Sequence, residues 1–170
     1  MQKYTKDFIL IHWIHALILA FLLIGATLKL PDLPKVSGDL APFKMHIIIG
    51  IIAILLLVFR LILLKKQPYI KLYNGAKQVL VDINHRLIYL IIFIVGISGV
   101  ATAKLSNLGS IVLFGADASN YLGETSLVKV FANIHSISTT VLMALIAMHI
   151  VGVILYTIKT KDKVIKRMWF

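Results

Sequence analysis

Four stretches of this 170-residue chain stay apolar for about twenty residues each, and nothing else in the sequence limits the fold so strongly. They cover about residues 7–28, 45–64, 82–103 and 128–158. A hydrocarbon core of about 30 Å is crossed by roughly 20 helical residues rising ~1.5 Å each. Barrel strands would be shorter and would alternate apolar with polar positions. Backbone polar groups in lipid must also be satisfied within the segment, so each run is expected to be a spanning α-helix. The expected fold is all-α: a single membrane domain built as a four-helix bundle. With 59% hydrophobic residues and a mean hydropathy of +0.93, a soluble domain is excluded. No small-residue cleavage site follows the first run, so that helix is expected to stay in the protein.

The connections carry turn residues and charge. Lys29 to Lys44 contains Pro31, Pro34, Gly38 and Pro42, and Lys65-Lys66-Gln67-Pro68 stops the second helix. Lys104 to Lys129 is the longest loop, and its Ile111 to Phe114 patch is expected on the membrane surface. Lys159 to Phe170 forms a basic tail. One side of the membrane collects Lys3, Lys6, Arg60, Lys65, Lys66, Lys71, Lys77, Arg86, Lys159, Lys161, Lys163, Lys166 and Arg167, thirteen of the eighteen basic residues. The positive-inside rule then makes both termini cytoplasmic. The net charge of +11 is explained by topology and contact with anionic lipid, and needs no nucleic acid.

Chemistry is concentrated in the histidines. His135 and His149 are 14 residues apart on the fourth helix, about 21 Å along its axis and about 40° short of four full turns. One helix thus offers two imidazoles on one face, one near each membrane surface. By depth, His149 matches His12 on the first helix, and His135 matches His46 on the second. Ionisable groups inside a membrane are rare and usually functional, although a lone histidine can also simply hydrogen-bond a neighbouring helix. Two pairs at two depths suit bis-imidazole ligation of two stacked haems. No carboxylate or third histidine joins either pair, which disfavours other metal ions. The chain has no cysteine, which excludes disulfides, thiolate iron–sulfur ligation and covalent c-type haem, so any haem is b-type.

Three further positions stand out. Arg60 lies 14 residues after His46, so the second helix presents a guanidinium at the inner depth. A haem propionate would pair with it; snorkelling to the interface near Lys65 is the other reading. Gly50, one turn after His46, leaves room for a flat macrocycle, although small residues also serve helix–helix contacts. His15 lies three residues beyond His12, and spacing alone allows either as the ligand of the first helix. His85 and Arg86 begin the third helix at the cytoplasmic surface. They suit a quinone headgroup, which needs proton donors near water, while an interfacial His-Arg pair is the plainer reading. Trp13, Trp169, Tyr69, Tyr73 and Tyr156 fit an aromatic belt.

Ile11-His12-Trp13, Met45-His46 with Gly50, Val58-Phe59-Arg60-Leu61, the run from His85 to Tyr89, Ile134-His135 and Met148-His149 occur in an order that resembles the prokaryotic cytochrome b561 family over nearly the whole chain. The resemblance implies a four-helix bundle of the bacterial inner membrane holding two haems b, with an electron path to or from the quinone pool. By position it carries the iron ligands to His12, His46, His135 and His149, and it favours His12 over His15. Arg60 and His85 also match family positions. One branch of the family oxidises superoxide at the outer face and reduces ubiquinone, which would make the protein an oxidoreductase. Steering of superoxide would favour a positive outer surface, yet the outer loops total only +1, with Asp32, Asp39, Asp117 and Glu124 against five lysines.

Two other roles compete with this one. A haem-b anchor subunit relaying electrons for a partner dehydrogenase or hydrogenase would need a docking surface. A non-redox small transporter would use the histidines as proton relays and would bind no haem.

Overall fold

The computed structural model describes residues 3–28, 30, 33, 35–68, 70–123, 125–161 and 164–169. Lys29, Pro31, Asp32, Pro34, Tyr69, Glu124, Asp162, Lys163 and Phe170, which entered the loop and charge readings, lie outside them. Four helices are long and apolar enough to cross a membrane: α1 (Lys6–Leu28), α2 (Ala41–Leu64), α3 (Ala76–Leu105) and, after the short α4 (Leu108–Phe114), α5 (Ser126–Thr160). Their outer faces carry large apolar side chains that no protein covers, such as Leu17, Phe21, Ile137 and Ile158. In a soluble protein such faces would aggregate, but here they meet lipid.

Two helices begin several residues earlier than hydropathy indicates, in polar sequence where local side chains hydrogen-bond the backbone. At α2 the Asp39 carboxylate accepts from the Ala41 N–H at 2.9 Å, and a proline occupies the first turn, where its missing N–H costs nothing. At α3 the Gln78 Oε1 accepts from the Leu72 and Tyr73 N–H groups at 2.9 Å each, and Gln78 Nε2 donates to Asp82 at 2.9 Å. His46 and His85 therefore sit deeper inside their helices than starts near residues 45 and 82 would place them.

Extended packing runs α1 against α2, α2 against α3 and α3 along α5. Among the described residues neither α1 nor α2 packs its backbone along α5. Leu19, Ala53, Leu57, Ile92 and Leu142 form the buried core, at positions that lie midway between the two histidine depths on their helices. The surface patch expected at Ile111 to Phe114 is only partly one. Asn107 takes a left-handed conformation (φ 60°), which asparagine tolerates, and the chain folds back so that Ile111 and Val112 bury against α2 and α3. Phe114 is 84% exposed and alone keeps the expected character.

Candidate functional site

We keep the labels inner and outer from the distribution of basic residues. At the outer end His46 of α2 faces His135 of α5, with ring centroids 6.1 Å apart and planes at 85°. His135 Nδ1 lies 2.9 Å from the Val95 carbonyl. A carbonyl only accepts, so Nδ1 carries the proton and Nε2 of the neutral ring keeps its lone pair. Metal-binding histidines are commonly oriented in this way. Gly99 makes the arrangement possible: a Cβ there would come within 2.9 Å of the His135 ring. Two imidazoles sharing one metal from opposite sides would place their centroids roughly 6 Å apart, given about 2 Å per metal–nitrogen bond. The outer pair has that spacing.

A cleft of about 590 Å³ opens above this pair, between the outer ends of α3 and α5 and the loop that follows α4. Lys35, Lys129, Asn133, Tyr121, Thr102 and Ser106 are among the residues that line it. In the same outer loop the exposed Asp117 accepts from the Ser119 N–H at 2.8 Å, and hydrogen bonding from Ser119 holds its carboxyl below the usual range.

The inner end is more crowded. His149 of α5 meets His85 of α3, with ring centroids 4.9 Å apart and planes at 83°. His85 Nδ1 is 2.7 Å from the Val81 carbonyl, which leaves its Nε2 with the lone pair. His12 is engaged differently: its Nδ1 accepts from Arg60 Nη2 at 2.6 Å. His12 lies within electrostatic reach of Arg60, His149, His85 and His15, so all five belong to one cluster.

Arg60 does not snorkel. It is 9% exposed, and its guanidinium carbon lies 5.1 Å from the Tyr89 ring centroid and 5.8 Å from that of Phe8. A guanidinium held this deep by rings and an imidazole is stabilised further by any anion that reaches it. His15 is fully buried, and both of its ring nitrogens lack a hydrogen-bond partner. Arg86, next to His85 in sequence, is exposed. Next to the cluster, burial raises the Tyr4 phenol above its ordinary pKa.

Several contributors escaped the sequence reading. Val95 acts through its backbone, which no residue type announces. Gly96 and Gly99, three apart in α3, were a legible sign of close helix approach: a Cβ on Gly96 would collide with Ile54 of α2. Of the aromatic residues expected in a belt, Tyr73 pairs with Tyr156 at 5.0 Å and Trp13 with Trp169 at 6.1 Å between centroids.

Compared with known proteins, the chain matches a family model described as prokaryotic cytochrome b561 over residues 3–170. No curated protein and no solved structure matches it.

Proposed function

This chain belongs to the prokaryotic cytochrome b561 family, and from that premise we propose that it is a dihaem b cytochrome moving electrons between an outer-face donor and the quinone pool. Family and architecture make it a multi-pass protein of the inner membrane and a b-type electron carrier. Haem b held by histidine pairs would supply one-electron chemistry.

The observation that carries the reading is the outer pair. His46 and His135 face each other at 6.1 Å between centroids, and the Val95 carbonyl keeps the His135 Nε2 lone pair available. His46 and His135 would hold the outer haem. Open space beside Gly50, where a Cβ would meet nothing within 4 Å, favours a flat ligand there. His12 and His149 would hold the inner haem. Ligation by His12 would require Arg60 to give up its hydrogen bond to Nδ1, and a propionate would be an acceptor for the guanidinium so released. His85 would then serve as a hydrogen-bonding group beside His149, near a quinone site on the cytoplasmic half that the exposed Arg86 would border. Lys35 and Lys129 at the outer cleft favour a small anionic donor such as superoxide, a local feature that the loop total of charges conceals.

Absorption spectra of the purified protein, oxidised and reduced, with haem counted as pyridine haemochromogen, test the assignment. Two low-spin haems b per chain are expected. A chain that binds none when haem is well supplied overturns it. Rapid reduction by superoxide at the outer face, abolished in Lys35→Glu/Lys129→Glu, supports the donor. Reduction only by a partner dehydrogenase would replace that donor with a protein.

A further inference from the structure

The basic tail folds back onto the protein. Val164–Met168 form a 3-10 turn that packs against α5 and lies across the start of α1. The Met168 carbonyl accepts from Trp13 Nε1 at 2.7 Å, and the Trp169 ring stands edge-on to Trp13 at 6.1 Å. The Arg167 carbonyl accepts from the Tyr4 N–H at 3.3 Å, and the Trp169 carbonyl accepts from Lys3 Nζ at 3.4 Å. Contacts then continue inward along two lines. Trp13 stands edge-on to its neighbour His12 at 5.4 Å. Tyr4 packs on Phe8 at 5.2 Å, Phe8 lies 5.8 Å from the Arg60 guanidinium, and Arg60 donates to His12.

We infer that residues 164–169 are a strap that fixes the rotation of α1, and that Trp13 is the positioning residue through which the strap sets His12 and Arg60 at the inner site. Among the described residues α1 has its extended backbone packing against α2, and it meets α5 through side chains of the shared core such as Leu19 rather than along its length. Lipid tails are as apolar as the helix surface, so little hydrophobic force fixes the rotation of such a helix. A directional N–H to carbonyl bond at its end does so. Ligand groups tolerate displacements of only about 0.5 Å, so a small rotation of α1 is felt at His12. The inference deepens the proposed inner haem site and rests on it.

Trp13→Phe keeps an aromatic ring and removes the N–H. In the full-length haem-loaded protein, tryptic cleavage after Lys166 and Arg167, followed by mass spectrometry, should speed up by roughly two- to tenfold, the span for loss of one net hydrogen bond. The low-spin electron paramagnetic resonance signal assigned to the inner haem should shift while the outer signal stays. Deletion of 164–170 should give the same inner shift, and Trp13→Phe within that deletion should add nothing, because both remove one link. Unchanged cleavage in Trp13→Phe, equal shifts of both haem signals, or additive effects of the two changes would each overturn the inference. If the protein binds no haem, the dihaem reading fails by itself, and the cleavage rates still decide whether Trp13 holds the strap.

Discussion

The two ends of the bundle hold histidines on the same helix, α5, yet they prepare them differently. At the outer end two imidazoles lie with ring centroids 6.1 Å apart, and one is held by a backbone carbonyl in the tautomer that leaves Nε2 its lone pair. At the inner end His149 touches a third histidine, and His12 already spends its Nδ1 lone pair on Arg60. The outer site is preorganised by backbone. The inner site is tied into a charged network, with a guanidinium that needs an anion and a strap that reaches it from the C-terminus. Ligand binding should therefore disturb the inner end more, and inner substitutions should change potential and proton behaviour rather than occupancy alone.

Removing an outer ligand gives the largest effect. His135→Ala should lower the haem count from two per chain to one, read by pyridine haemochromogen, and leave the inner spectrum intact; loss of both haems would show that the ends are not independent. Arg60→Gln comes next. A cation near the iron favours the reduced form, which carries one positive charge fewer, so its removal should lower the inner midpoint potential by tens of millivolts, on the scale of a charge at several ångströms in a medium of intermediate dielectric. Redox titration of the two haems separately measures it, and an equal fall at the outer haem would place Arg60 elsewhere in function. Gly99→Ala should push the His135 ring off the Val95 carbonyl, at a cost of about 1–3 kcal/mol typical of overpacking, seen as weaker retention of the outer haem only. Gly50→Ala is the mildest. With nothing within 4 Å of the added methyl, the helix itself should gain up to about 1 kcal/mol, so a fewfold faster loss of outer haem would mark a macrocycle at that face.

Sequence alone determined the four spanning segments, because length and continuous apolarity leave the backbone no other way to satisfy itself in lipid. It also determined the depth of each histidine, because a helix converts residue number into distance and angle. That reading brought His46 and His135 to one level, where the structure has their rings facing. Sequence could not determine which neighbours fill the inner site. His85 meets His149 because α3 starts earlier than hydropathy indicates and runs along α5, a tertiary contact that residue spacing does not encode. Arg60 turns inward to His12 rather than outward to water because Phe8 and Tyr89, from two other helices, close around it. Trp13 and Trp169 read as interfacial anchors in the sequence, which does not disclose that the returning tail also makes them partners. The reason is the same each time: periodicity fixes the face and depth of a side chain on its own helix, whereas its partner depends on how separate helices rotate and slide against one another.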